Sequence, residues 1–322
     1  MNFSRSQLDI DVEDEIEKII SFIAETVRKN KKDGVVVGLS GGIDSAVASA
    51  LSVASLGEKK VFGLIMPERE SNPISREFAI EHAEKMGIEY EEVEITPVLE
   101  AFGTYQMRDR IISEIYPEYD PSYHRIKITL PDGLMDRDTF NFFSLIIDDG
   151  EKDVFRSRLK KRDLNGIIAA TDSKQRTRMM TLYHRAENMN RFVCGTTNRP
   201  EMMQGFFVKY GDGGVDLEPL AHLYKSQVYQ IGRVLGVPDN ILKRLPSPDT
   251  FNSHVGDEEF FFKIPYDLVD LLLYSWENKV LMDQVCDVLD LEEKQVVRVY
   301  RDFNSKYNTT DHLRIMPPNL LD

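Results

Sequence analysis

A six-residue segment, Ser40-Gly41-Gly42-Ile43-Asp44-Ser45, has the residue types of a phosphate-binding loop. Its adjacent glycines allow a tight turn with exposed backbone amides. Those amides, the serine hydroxyls and the positive end of a following helix all favour an anion such as phosphate. Asp44 suits such a site only if a divalent cation intervenes, because Mg²⁺ binds carboxylate and phosphate oxygens together. We therefore predict a phosphate site with Mg²⁺; a Gly-Gly turn with capping Ser and Asp is the alternative.

The segments around this loop have the pattern of a parallel α/β sheet. Short β-branched runs predict buried strands, and apolar residues at helical spacing predict helices between them. The predicted strands are 35–39, 61–66 and 90–95, and the predicted helices are 12–27, 44–56 and 74–86. This alternation implies right-handed crossovers and a doubly wound, Rossmann-like parallel sheet of the α/β class.

Residues 99–170 interrupt this pattern. The segment is too long for a structureless connection and should contain elements of its own, so we interpret it as an insertion. After it, we expect a helix at 172–188, a strand at 191–194, a helix at 225–235, and C-terminal helices that include 280–289 and 292–300. The sequence thus predicts one α/β domain over 1–275 that contains the insertion, followed by a helical section over 276–322.

The composition limits the possible partners and the compartment. The 322 residues include 40 Lys+Arg and 54 Asp+Glu, a formal charge of −14, which opposes binding to long nucleic acids. Cys194 and Cys286 are too few for a disulfide framework and lack zinc-site spacing, which favours a reducing compartment. We see no signal peptide and no apolar run long enough to span a membrane. A cytoplasmic protein is therefore expected.

A glycine-rich block at 205–216 is the second candidate site. Its glycines permit a turn that brings backbone close to a ligand. Lys209, and Lys225 beyond the block, supply positive charge in an acidic protein, while Asp212 and Asp216 could bind ribose hydroxyls or hold ammonium. A hairpin with solvated charges is the alternative.

Basic residues also recur on the predicted helix at 172–188. Lys174 and Arg178 are one turn apart and therefore lie on the same face of this helix. Such a face is usually solvated, but here it could contribute, with Arg176, Lys209 and Lys225, to an anion pocket. Arg185 follows on the same helix.

These segments resemble the ATP-pyrophosphatase, or adenine nucleotide alpha hydrolase, superfamily and, within it, the ammonia-dependent NAD⁺ synthetases. The loop at 40–45 is similar to the pyrophosphatase-type loop of the superfamily. The NAD⁺ synthetase resemblance is carried by residues 66–73, by Gly195-Thr196-Thr197-Asn198 with Glu201, by the block at 205–216 followed by Pro219-Leu220 and Lys225, and by Pro246-Ser247, Asp257-Glu258 and Tyr266-Asp267.

The resemblance implies ATP-dependent amidation of deamido-NAD with ammonia through an acyl adenylate, with Mg²⁺ as the cofactor. It also implies residue roles. ATP would be bound by Ser40, Gly41, Gly42, Asp44, Ser45, Met66, Thr196, Lys225 and Ser247. Deamido-NAD would be bound by Arg176, Arg178, Tyr183, Lys209, Asp212 and Asp216. The catalytic residues would be Asp44, Lys209, Lys225 and Asp216, and the metal ligands Asp44 and Glu201.

Family members are usually homodimers, which is the expected assembly here. Because the loop begins only 40 residues from the start, we expect no amino-terminal glutaminase domain, so ammonia would come from solution or from a separate glutaminase. Phe260-Phe261-Phe262 replaces a Leu-Gly pair of the family, and Leu313 stands where a lysine is usual. These differences and the long insertion leave open the alternative that the protein is a paralogue that amidates another carboxylic acid.

A non-catalytic nucleotide-binding subunit is a second alternative, although such a protein would be expected to lose some of the charged residues that this chain keeps. A tRNA-modifying member of the superfamily is less consistent with the sequence, which lacks catalytic cysteines and an RNA-binding basic domain.

Overall fold

The computed structural model describes residues 3–131, 133–136, 142–247, 250–253 and 256–320. The strands are β1 (Val35–Gly38), β2 (Val61–Ile65), β3 (Glu89–Glu92), β4 (Arg125–Thr129), β5 (Ser144–Asp148), β6 (Asp153–Arg158) and β7 (Phe192–Cys194). The helices are α1 (Val12–Lys29), α2 (Ile43–Leu56), α3 (Pro73–Met86), α4 (Thr96–Phe102), α5 (Thr104–Ile115), α6 (Lys161–Asn188), α7 (Arg199–Gln204), α8 (Lys225–Val234), α9 (Asp239–Lys243), α10 (Tyr266–Glu277), α11 (Met282–Leu289), α12 (Glu293–Thr309) and α13 (Asp311–Arg314). Short 3₁₀ turns lie at Arg5–Leu8 and Glu58–Lys60, and a π-helical turn lies at Glu258–Phe262.

The central sheet is parallel, with strand order β3-β2-β1-β7. From β1 the chain proceeds outward through β2 and β3, and it returns on the other side of β1 to form β7. Open α/β sheets bind ligands outside the carboxyl ends of the strands at such a reversal. The predicted phosphate loop follows β1 directly, so the topology places it at the switch point between β1 and β7.

Both faces of this sheet are covered at β1, β2 and β7, as their apolar sequences require, whereas the edge strand β3 is polar and partly exposed. Val35 and Val37 belong to a core that includes residues of α1, α2 and α8. Val36 points to the opposite face, where its core includes Leu99 and Tyr105 of α4 and α5. The predicted doubly wound α/β fold is therefore confirmed. The C-terminal ends of β1 and β2 differ from prediction by one residue each, and β3 covers Glu89–Glu92 where 90–95 was predicted.

The segment predicted as an insertion has its own architecture. Strands β4, β5 and β6 form a separate antiparallel sheet whose apolar side chains, including Ile126 and Ile147, pack with Ile112 of α5 and Ile167 of α6. Helix α6 begins at Lys161, eleven residues before the predicted start. Its first turns are needed to cover the second sheet, and this long-range packing is not visible in local periodicity.

The C-terminal helices form another apolar core. Residues of α10, α11 and α12 pack together, and Phe3 and Leu8 from the start of the chain join them. The predicted helical C-terminal section is confirmed, although α12 continues to Thr309 rather than ending near residue 300. The domain boundary at 275/276 stays a prediction. Among the described helices, none combines the length and the apolar character that crossing a bilayer requires.

A buried ionic cluster connects α5 and α6 to the loop after β2. Lys174 Nζ lies 2.8 Å from Glu68 Oε1 and 2.8 Å from Glu70 Oε2, and it also donates to the carbonyl oxygen of Thr250. Arg108 forms a two-bond pair with Glu70, at 2.6 and 2.7 Å. The Lys174 side chain is 1% exposed. The prediction that Lys174 lines an anion pocket is therefore wrong, because two carboxylates already neutralise its charge.

This cluster predicts a pH dependence of stability. Burial alone would raise the pKa of Glu70, but Arg108 and Lys174 outweigh burial and lower the pKa to about 2. The carboxyl titrates near its ordinary value in the unfolded chain. Its stabilisation is thus present above that value and is lost as the pH falls toward the folded pKa, a total of roughly 3 kcal/mol. Glu70→Gln should lower the free energy of unfolding at neutral pH by about 2–3 kcal/mol, and by about half as much near pH 3.

Urea unfolding at both pH values measures this effect. Glu100→Gln is the matched control, because Glu100 is half-exposed and its ion pair with Arg69 is long, at 3.4 Å. The control should change stability by less than about 0.5 kcal/mol. A Glu70→Gln deficit that is the same at both pH values would contradict the ionic explanation.

Candidate functional site

The loop between β1 and α2 is a closed hydrogen-bonded turn. The Ser40 amide donates to Ser45 Oγ over 3.2 Å, and the Gly42 amide donates to Ser40 Oγ over 3.3 Å. Ser45 Oγ in turn donates to the Gly42 carbonyl oxygen. Gly42 is the N-cap of α2 and has no side chain to cap the helix, so the first-turn amides can bind an anion.

Gly41 cannot be replaced by a larger residue without moving the loop. Its φ angle is +71°, in the left-handed region, and a Cβ built on it would lie 2.2 Å from the carbonyl oxygen of Ser75 in α3. The glycine is therefore required both by backbone conformation and by the close approach of α3.

Asn198 brings the two predicted metal ligands together. Its Nδ2 donates to Asp44 Oδ1 over 3.0 Å and to Glu201 Oε1 over 2.8 Å. Asn198 is also the N-cap of α7, and its Oδ1 accepts from the Glu201 amide while Glu201 Oε2 accepts from the Asn198 amide. This reciprocal capping box fixes Glu201, so Asp44 of α2 and Glu201 of α7 share one buried amide.

Lys225, the first residue of α8, completes the ionic part of the site. Its Nζ lies 2.5 Å from Asp44 Oδ2 and 3.7 Å from Glu201 Oε1. Burial by itself would lower the pKa of Lys225, but Asp44, Glu201 and Asp257 outweigh it and raise the pKa. Burial and then the charge of Asp44 raise the pKa of Glu201 well above its ordinary value. The ammonium therefore stays charged, and the two carboxylates would be stabilised by further positive charge.

This donor set fits Mg²⁺. Magnesium commonly takes one or two protein carboxylates and fills its other positions with water and substrate phosphate oxygens. Within the described parts of the chain, no group of three or more His, Cys, Asp or Glu side chains is arranged to hold a metal by itself. Asp44 and Glu201 suit an ion that is shared with a nucleotide, and their role as ligands stays a prediction.

Asp257 and Tyr266 adjoin this site, although the sequence alone gave them no role. The Tyr266 hydroxyl donates to Asp257 Oδ2 over 3.1 Å, and Lys225 Nζ lies 5.7 Å from the Tyr266 ring centre. Burial raises the pKa of Asp257 to about 6. The Asp257 amide also donates to the Pro246 carbonyl, next to Ser247. The only sign in the sequence was that both residues belong to segments that resemble the NAD⁺ synthetases.

Other predicted residues meet where α6 passes the ends of β2 and β7. The Tyr183 hydroxyl donates to Asp216 Oδ1 over 3.2 Å, and Asp216 Oδ2 accepts from the Val193 amide over 2.8 Å. Arg178 Nε donates to the Met66 carbonyl oxygen over 3.3 Å. The structure therefore brings together Tyr183 with Asp216, and Arg178 with Met66.

The glycine-rich block contains Lys209 and Asp212, and Arg176 of α6 contacts it. Arg176 Nε donates to the Lys209 carbonyl, and Asp212 Oδ1 accepts from the Val208 amide. Lys209 Nζ donates over 2.5 Å to the carbonyl oxygen of His312, so its charge faces the C-terminal segment. Thr196 follows β7 and Ser247 follows α9, and both are half-buried.

The three phenylalanines at 260–262 pack against the same block. Phe206 stacks on Phe261 with ring centres 4.5 Å apart, and it also contacts the rings of Phe260 and Phe262. Phe262 is fully buried. The aromatic run therefore attaches the block to the C-terminal helices.

The shared amide of Asn198 makes a testable prediction. Asn198→Ala removes the helix cap, worth about 1 kcal/mol. It also leaves two partly buried carboxylates with one donor fewer, worth about 1–3 kcal/mol. The free energy of unfolding in urea should fall by about 2–4 kcal/mol.

Asn304→Ala is the matched control, since Asn304 is exposed and its side chain bonds only a carbonyl of its own helix among the contacts described. A loss of less than about 0.5 kcal/mol in Asn198→Ala would contradict the organising role of this residue.

Comparison with known proteins gives the family. The family model described as NAD synthase matches residues 15–119 and 145–317, which leaves out all of β4. An NH₃-dependent NAD⁺ synthetase of Rhizobium meliloti is 42% identical over 98% of this chain and 94% of its own length. One of Thermotoga maritima is 36% identical over 90% of this chain and 95% of its own length.

Solved structures agree with this result. An NMN synthetase from Francisella tularensis superposes with a TM-score of 0.66 at 25% identity, covering 97% of this chain and 99% of the other. An NH₃-dependent NAD synthetase from Campylobacter jejuni has the same fold, with a TM-score of 0.64 at 23% identity over 97% of this chain and 99% of the other. The resemblance predicted from the sequence is confirmed, and the chain belongs to the NAD synthase family.

Proposed function

We propose that this protein is an ammonia-dependent NAD⁺ synthetase that converts deamido-NAD, ATP and ammonia to NAD⁺, AMP and pyrophosphate. The observation that carries the proposal is the cluster of Asp44, Glu201 and Lys225 beside the glycine loop, at the switch point of the sheet. The relatives named above, which match nearly the full chain, support the choice of substrates.

The reaction has two steps, and neither needs a protein nucleophile. A carboxylate oxygen of the nicotinate ring attacks the α-phosphorus of ATP, and pyrophosphate leaves. The nitrogen lone pair of ammonia then attacks the carbonyl carbon of the acyl adenylate. The bond from that carbon to the bridging oxygen breaks, AMP leaves with the oxygen, and the nitrogen loses one proton to give the amide.

Catalysis then depends on positioning and charge. The loop amides and the N-terminus of α2 bind the phosphates, with Ser40 and Ser45 holding the loop in shape. Lys225 offsets the negative charge that develops on the α-phosphate, and its own position is fixed by Asp44. Asp44 and Glu201 would hold Mg²⁺, which supplies positive charge to the phosphate oxygens when bound. Met66, Thr196 and Ser247 would complete the ATP site.

The dinucleotide would lie along α6 and the glycine-rich block. Tyr183 and Asp216 already form a hydrogen-bonded pair there, and this pair can bind the hydroxyl groups of a ribose. Arg178 and Arg176 supply cations near the phosphates, and Lys209 and Asp212 would contact the substrate from the block. This substrate side rests on the resemblance and on the proximity of these residues.

We also propose that the protein acts as a homodimer in the cytoplasm and takes ammonia from solution or from a separate glutaminase. The free thiols of Cys194 and Cys286 are consistent with a reducing compartment. The proposal of a homodimer rests on the usual assembly of family members.

The substrate assignment predicts the product balance. Purified protein with deamido-NAD, ammonium and MgATP should form NAD⁺ and AMP in equal amounts, and omission of any one substrate should abolish NAD⁺. Chromatographic separation of the nucleotides measures both products. A panel of other acids should include nicotinate mononucleotide, because the similar Francisella structure is described as an NMN synthetase. AMP formation with another acid but not with deamido-NAD would establish the paralogue, and MgATP binding without AMP from any acid would establish a non-catalytic subunit.

The charge cluster predicts the effect of a mutation. Asp44→Asn keeps the shape and the bond from Asn198 but removes a carboxylate charge, so AMP formation should fall by about 100-fold or more. The thermal midpoint should change little, because the loss of the Lys225–Asp44 ion pair and the removal of repulsion on Glu201 oppose each other. Asp239→Asn is the control, since Asp239 is 81% exposed at the surface of α9. Near-normal turnover in Asp44→Asn would eliminate Asp44 from the metal and catalytic assignments.

A further inference from the structure

We propose that Arg244 is a positioning residue for ATP, which holds the Gly41–Gly42 peptide in the orientation that binds phosphate. The inference rests on the proposed function, because it concerns the same nucleotide site. Arg244 follows α9 and precedes Pro246 and Ser247.

Arg244 attaches the glycine loop to α3. Its Nη1 donates to the Gly41 carbonyl oxygen over 3.3 Å, and its Nη2 donates to Ser75 Oγ over 2.7 Å. The guanidinium also lies 5.9 Å from the centre of the Phe78 ring. Ser75 is the residue whose backbone lies against Gly41. One planar group therefore fixes both sides of the closest contact between the loop and α3.

The peptide geometry shows why this matters for an anion. In a planar trans peptide the carbonyl and the following N–H point in opposite directions. Because Arg244 binds the Gly41 carbonyl oxygen, the Gly42 N–H points to the opposite side of the peptide, where it donates to Ser40 Oγ in the loop before α2. Gly41 has little intrinsic conformational preference to keep this orientation by itself. Loss of Arg244 would allow the peptide to rotate. Rotation would break the bond from the Gly42 N–H to Ser40 Oγ and would disturb the loop that leads into the first turn of α2, where we place the phosphate.

Arg244 is also connected to other parts of the site. Its carbonyl oxygen accepts from the Tyr229 hydroxyl of α8, the helix that begins with Lys225. Three residues later comes Ser247, which we place in the ATP site. The residue therefore joins the glycine loop, α3, α8 and the segment that carries Ser247.

The experiment compares Arg244→Met, Arg244→Lys and the control Lys243→Met. Lys243 is the adjacent cation, and its side chain is 77% exposed. Isothermal titration with MgATP gives the Kd, and AMP formation gives KM for each substrate. Arg244→Met should raise both Kd and KM for MgATP about tenfold, with KM for deamido-NAD unchanged within about twofold. Arg244→Lys keeps the charge but not the two-armed geometry, so it should give an intermediate value. Lys243→Met should match wild type.

The outcomes separate positioning from a general structural role. An unchanged Kd for MgATP in Arg244→Met overturns the proposal, as does a parallel rise of both KM values together with a lower melting temperature. If Arg244→Met does not fold, Arg244→Lys decides: weaker MgATP binding at a wild-type melting temperature supports the proposal, and unchanged binding overturns it. Because MgATP binding is measured without the acid, failure of wild type to form NAD⁺ would count against the proposed function and not against this role of Arg244.

Discussion

The site depends on keeping two carboxylates beside one buried ammonium. Asp44 and Glu201 repel each other, and Lys225 offsets only part of that repulsion, because burial weakens the solvation of all three charges. Asn198 makes the arrangement possible by donating to both carboxylates. A nucleotide with its metal would bring the missing positive charge and the anion for the loop at the same time, so the free protein is already organised for that complex.

The topology explains how residues so distant in sequence meet. Asp44 lies in the first turn of α2 after β1, Glu201 lies in the first turn of α7 after β7, and Lys225 is the first residue of α8. β1 and β7 are neighbours, and all parallel strands present their carboxyl ends at the same edge. The cluster is therefore built from three helix N-termini. Their dipoles favour anionic ligands there, and the two carboxylates are stabilised by the same field.

Sequence reasoning succeeded where local patterns decide the structure. The β-branched runs predicted β1 and β2, and the glycine-rich hexapeptide predicted the loop at the switch point. It failed where distant segments decide. A helical period could place Lys174 on a face of α6, but it could not show that Glu68 and Glu70, more than 100 residues earlier, bury it. Asp257 and Arg244 were missed for the same reason, since their roles come from contacts across the fold and not from their neighbours in sequence.

The charge of −14 has a different meaning once the buried charges are located. Lys174, Arg108 and Lys225 are each nearly inaccessible and paired with carboxylates, and Lys306 lies buried 2.8 Å from Asp302. Because the carboxylates that pair with these cations are largely buried with them, the net charge of −14 is unchanged, and the long-range field still opposes the approach of anionic substrates. Recognition of ATP and of the dinucleotide must then come from donors that act over a few ångströms. Backbone amides, helix ends and guanidinium groups held in fixed geometry are such donors, and the loop braced by Arg244 combines all three.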